Sequence, residues 1–60
     1  MEITDRQNKI IDLLCNGKKI IEISEIFNCS KSTIEKELFW FKEFYQAETL
    51  IKAIYLHFNK

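Results

Sequence analysis

The chain has 60 residues, and nine basic and nine acidic side chains leave it with no formal net charge at pH 7. That length allows one domain, near the lower limit for folding without disulfide or metal staples, and the neutral balance excludes a basic nucleic-acid footprint spread over the whole surface. Hydrophobic residues make up 47% with eight aromatics among them, proline is absent and Gly17 is the single glycine, so helices are favoured over β-hairpins and more apolar surface is present than one small core holds.

Thr4-Asp5-Arg6-Gln7 has the form of a capping box, with Thr4 as the cap and Gln7 reaching back to the cap backbone. Asp5 adds negative charge to the first turn, which suits the helix dipole, and Ile3 is placed for a hydrophobic staple. The pattern predicts a first helix from Arg6 to about Asn16, with Ile10, Ile11, Leu13, Leu14 and Cys15 on a wide apolar face. Gly17 closes it as the residue past the C-cap. Lys18 and Lys19 lead into a second helix, roughly Ile20 to Phe27, with Ile20, Ile23 and Phe27 on one face and Ile26 beside them. Ser24 lies between these positions, where a small side chain lets a neighbouring helix come close. No good capping residue precedes this helix, so its start is poorly defined.

The stretch Asn28 to Leu38 organises the chain. Asn28 is suited to the left-handed conformation that ends one helix, and Ser30 is suited to cap the next. Ile34 and Leu38 begin a core stripe that continues through Phe41 and Tyr45. Two short helices joined by a tight turn, the second opening on hydroxyls and a lysine, are the layout of a helix-turn-helix. A second apolar stripe runs beside the first: Trp40, Phe44, Ala47, Ile51, Ile54 and Phe58. A helix apolar on more than one face must be covered on more than one face, so this stripe predicts self-association. No breaker separates the third helix from a fourth, about Ala47 to Phe58; Gln46-Ala47-Glu48-Thr49 is either a short connection, with Thr49 or Gln46 near a cap, or helix throughout.

The pattern holds no nucleophile–base pair, no carboxylate pair in a pocket-forming sequence and no glycine-rich phosphate loop, which argues against an enzyme. Cys15 and Cys29 lack metal-ligand spacing and read as two buried thiols in a reducing compartment. His57 reads as a solvent or interface side chain. No cofactor or metal is expected. The opening Met1-Glu2-Ile3-Thr4-Asp5 has no signal-peptide character and no apolar run approaches a membrane span, so a cytoplasmic location with no membrane partner is expected.

Several of these segments resemble the LuxR/GerE-type DNA-binding domain. Ile3-Thr4-Asp5-Arg6-Gln7 followed by Ile10-Ile11-Asp12-Leu13-Leu14 is similar to that family's "L-T-x-R-E-x-x-V-L" opening. Gly17-Lys18 with Glu22-Ile23-Ser24 looks like its "G-x-x-x-x-E-I-A", and Asn28 to Ile34 like its "L-x-I-S-x-x-T-V". Gln46 to Ile54 loosely resembles its "R-x-x-A-V-x-x-A" helix. The likeness covers residues 3–54 and is most specific over 22–38. It implies four helices, a third that enters the major groove and a fourth that pairs two subunits. The chain departs from the family at Glu35 and Glu37, where lysine and histidine are usual, and at Gln46, where arginine is usual. A glycine-containing linker between helices three and four is missing, which favours one long helix from Ser32 towards Phe58.

The resulting expectation is an all-α, three- to four-helix bundle with a helix-turn-helix, a single domain over 1–60 with its core in 3–45 and a dimerisation segment in 46–58. The DNA-facing residues would be Lys18, Lys19, Lys31, Ser32, Thr33, Glu35, Lys36 and Phe39. The homodimer interface would be Trp40, Phe44, Ala47, Ile51, Ile54 and Phe58. The function implied is a small transcriptional regulator. The alternative is an adaptor or antagonist that has kept the fold and binds another transcription regulator with little DNA affinity of its own.

Overall fold

The computed structural model describes residues 2–59 and contains four helices: α1 (Asp5–Cys15), α2 (Ile20–Ile26), α3 (Lys31–Phe44) and α4 (Leu50–Phe58). The α1 capping box forms as expected. Thr4 Oγ1 accepts from the Gln7 N–H at 3.0 Å, and Gln7 Oε1 accepts from the Thr4 N–H at 3.0 Å. The residue that would complete a staple is Asn8, which is polar, and Ile3 instead packs against the core.

The helices end by one device, used three times. After α1, Gly17 takes φ 90°, its N–H donates to the Leu14 carbonyl and the Lys18 N–H donates to that of Leu13. After α2, Asn28 takes φ 55°, with the Asn28 and Cys29 N–H groups donating to Glu25 and Ser24. After α3, Gln46 takes φ 52°, with the Gln46 and Ala47 N–H groups donating to Glu43 and Lys42. Each is a Schellman motif, in which one left-handed residue lets the chain turn back and satisfy carbonyls the helix leaves open. The third decides between the two readings of residues 46–49: they are a connection with Thr49 at the cap, and the one long helix from Ser32 towards Phe58 that the resemblance favoured does not form. Residues 45–49 form a five-residue link, and Thr49 opens α4 by accepting the Lys52 N–H at 3.1 Å.

One cluster forms the core: Ile10 and Ile11 of α1, Ile23 of α2, Ile34, Leu38 and Phe41 of α3, Ala47 of the link and Ala53 of α4. The predicted α3 stripe therefore holds, with Tyr45 partly buried at its end. The core does not stop at residue 45, because Ala53 is fully buried and seats α4 on α3. Ser24 is buried where α2 meets its neighbours, its hydroxyl donating to the Ile21 carbonyl at 2.7 Å. The expectation of two buried thiols is corrected: Cys15 is exposed and Cys29 half-buried. Cys15 lies on the last turn of α1, which runs out uncovered into Asn16 and Gly17.

Candidate nucleic-acid interface

Four residues, 27–30, join α2 to α3. Phe27 packs against the core, Asn28 reverses the chain and Ser30 caps α3, its Oγ accepting from the Thr33 N–H at 3.2 Å. The reversal that ends α2 and the cap that opens α3 thus lie two residues apart, so the direction in which α3 leaves α2 is fixed by the backbone. Ile23 and Ile34 then anchor the two helices to the same core.

This arrangement puts Lys31, Ser32, Glu35, Lys36 and Phe39 on the exposed side of α3, with Thr33 half-buried beside them. Thr33 Oγ1 lies 2.9 Å from Ser30 Oγ, so its hydroxyl belongs to the cap network as much as to the surface. Lys42 extends the face by placing Nζ 5.5 Å from the centre of the Phe39 ring. Lys18 and Lys19 are exposed in the loop before α2. That helix has an opening the sequence did not reveal: Glu22 accepts from the Lys19 N–H at 2.8 Å, which is half of a capping box.

The two glutamates on α3 have different fates. Glu35 is exposed between Lys31 and Lys36. Glu37 turns towards α1, where its carboxylate lies 3.5 Å from the Arg6 guanidinium and only 15% of the side chain is accessible. The same Arg6 holds Nη2 3.6 Å from Cys29 Sγ and sits 5.4 Å from the Phe27 ring centre. Arg6 therefore touches the α2–α3 turn, at Phe27 and Cys29, and α3, at Glu37. Glu37 is withdrawn from the face on which its negative charge would oppose a phosphate.

The second predicted set is brought together only in part. Trp40, Phe44, Ile51 and Phe58 are exposed, while Ala47 is buried and Ile54 packs against the core. The stripe assumed a continuous helical phase from 40 to 58, and the left-handed Gln46 resets it. In α4 the inner side is Leu50, Ala53 and Ile54, and the outer side is Ile51, Tyr55 and Phe58. Tyr55 was missed for that reason. His57 is an internal partner: Nδ1 lies 2.6 Å from Tyr45 Oη, and the imidazole stands edge-on to Phe41 at 5.2 Å.

An open cleft of about 460 Å³ lies beside the link, lined by Gln46, Ala47, Glu48, Thr49, Lys52 and Leu56. It gathers none of the predicted DNA-facing residues. Among the described residues no group of three or more His, Cys, Asp or Glu side chains is placed to hold a metal ion. No helix of those residues is long and apolar enough to cross a membrane. Compared with known proteins, the chain matches no family model, no curated protein and no solved structure.

Proposed function

We propose that the chain is a small DNA-binding regulator of transcription that presents the first turns of α3 to the major groove. One observation carries this reading. The α2–turn–α3 unit is held at both sides of its turn, by Asn28 and by Ser30, while the first turns of α3 show Lys31, Ser32 and Lys36 to solvent, with Glu35 between them and Phe39 beyond. A short rigid turn with an outward second helix is what groove recognition requires. Lys31 and Lys36 would bond phosphates or a guanine edge, and Ser32 would hold the backbone. Glu35 would accept from a cytosine amino group. Lys18 and Lys19 would add phosphate contacts from the loop before α2.

The test is selection of bound fragments from a random duplex library, followed by anisotropy titrations across salt. Four lysines per chain predict a slope of about −3 to −4 in log affinity against log salt. Lys36→Ala should lower that slope by about 1. If no duplex is enriched, or affinity ignores both salt and Lys36, the DNA reading fails.

A second reading has its own observation. Phe39 is 52% exposed on the same face, beside Glu35, in a chain with no net charge. An apolar ring with mixed charges around it suits a protein surface better than a phosphate backbone. In that case the chain is an adaptor or antagonist of a larger regulator. Glu35→Lys then creates DNA affinity that the wild type lacks, whereas under the first reading it only adds to affinity already present.

A further inference from the structure

Phe39 stands near the middle of the exposed side of α3, 52% accessible, and has no hydrogen-bonding group to offer. A helix advances about 100° per residue, which puts Ser32 within about 20° of the Phe39 direction. By the same spacing Glu35 lies about 40° to one side and Lys36 about 60° to the other. Lys31 and Lys42 lie beyond Glu35, about 60–80° from Phe39, so cations border the face on both edges. Lys42 Nζ is 5.5 Å from the Phe39 ring centre, a cation–π contact that restrains the ring within the face. Glu43 follows one turn later and brings the face to an end. A major groove is walled by phosphate backbones and floored by base edges. Cations on both edges and an uncharged ring between them match that layout.

We infer that Phe39 reads the C5-methyl group of a thymine. This rests on the DNA-binding function proposed above and goes beyond it by assigning a base to the ring. Of the four bases, only thymine shows an apolar group in the major groove. The other three present donors and acceptors there, which a phenyl ring would strip of water without bonding in return. Phe39 is about 6 Å along the helix from Glu35, so the thymine neighbours the cytosine whose amino group Glu35 would accept from. Glu35 and Phe39 thus set the sequence, and the lysines on the two edges set the affinity.

The probe is the duplex selected from the random library, with each thymine replaced in turn by deoxyuridine. That replacement removes one methyl group and leaves base pairing intact. For the full wild-type chain, one replacement should weaken binding about 3- to 5-fold, the worth of one methyl group taken out of water. The factor should be the same at low and moderate salt, because the contact carries no charge. Phe39→Ala, at an exposed position, should keep the helical circular dichroism and bind the thymine and deoxyuridine duplexes equally. Lys36→Ala should weaken both duplexes alike and leave their difference in place. A selected site without thymine overturns the inference, as does one in which no thymine is distinguished from deoxyuridine. So does a Phe39→Ala variant that still distinguishes them, or one that binds neither. In each of these cases the enriched duplex leaves the DNA-binding function standing. If no duplex is enriched, both fall, and capture of a protein partner that Phe39→Ala abolishes then gives the ring to the adaptor reading.

Discussion

The two joints that flank α3 are built alike and serve different surfaces. At the first, Asn28 adopts φ 55° and Ser30 caps α3; at the second, Gln46 adopts φ 52° and Thr49 caps α4. Both reverse the chain through a Schellman motif and restart it with a hydroxyl. They differ in what the following helix shows to solvent. After the first joint the opening turns of α3 show Lys31, Ser32, Glu35 and Lys36, with Phe39, Trp40 and Phe44 exposed only further along, whereas after the second joint α4 shows Ile51, Tyr55 and Phe58 along its whole length, with Lys52 as its exposed charge. A joint thus fixes where a helix goes and leaves its outer residues free to specify the partner. The same local chemistry serves a charged face and an apolar one within a single 60-residue chain.

That comparison holds only if both joints lean on one core, and Phe41 is the residue to test it. It is fully buried and stands edge-on to both Tyr45, at 5.3 Å, and His57, at 5.2 Å. Phe41→Ala should cost about 3–5 kcal/mol. A domain of this length has only about 3–9 kcal/mol in total. The variant should be mostly unfolded at 25 °C by circular dichroism. Ile23→Ala, on the α2 side of the same cluster, should cost about 2–5 kcal/mol and lower amide-exchange protection in α4 as well as in α2. Protection lost in α2 alone would mean that the two joints belong to separately stable units.

The joints themselves give the middle-sized effect. A non-glycine residue in the left-handed region carries a backbone cost that asparagine bears better than glutamine, because its short side chain bonds locally. Gln46→Gly should therefore stabilise the chain by about 0.5–1 kcal/mol, and Asn28→Gly by less, in urea titrations. Equal gains at the two sites would show that asparagine has no advantage at the first joint. This difference also explains what could be read from the sequence. Asn28, Gly17, Ser30 and the Thr4–Gln7 box announce themselves, since their side chains or lack of one favour the geometry they adopt. Gln46 has no such preference. It turns left-handed because Ala53 and Leu50 must reach the core beside Phe41, a demand made by packing and invisible in the local pattern. The sequence offers 46–49 as either a connection or helix throughout, and a stripe drawn in one helical phase from 40 to 58 puts Ala47 and Ile54 on the outer face and leaves out Tyr55. The exposure of Lys31, Ser32, Glu35, Lys36 and Phe39 could be read from the sequence because all five lie within one uninterrupted helix, where spacing determines what is exposed. Glu37 is the exception within α3. Its environment is set by Arg6, far away in sequence, and no spacing rule connects them.

The smallest effect concerns that pair, and it bears on the charged face alone. Arg6 is 44% accessible on its side chain, so its bond to Glu37 is screened by water and contributes no more than about 1 kcal/mol. A double-mutant cycle of Arg6→Ala and Glu37→Gln should give a coupling of about 0.2–1 kcal/mol in thermal or urea unfolding. Under the proposed DNA-binding function, its consequence for DNA should be separable from its consequence for stability. Arg6→Ala frees the Glu37 carboxylate to turn outward beside Lys36, and DNA affinity should fall through added repulsion. Arg6→Ala combined with Glu37→Gln removes that charge and should recover the affinity. Recovery would assign Arg6 the task of holding a negative charge off the reading face. An equal loss of affinity in the single and double variants would instead make Arg6 a direct phosphate contact, and the face would then extend from α3 onto the first turn of α1.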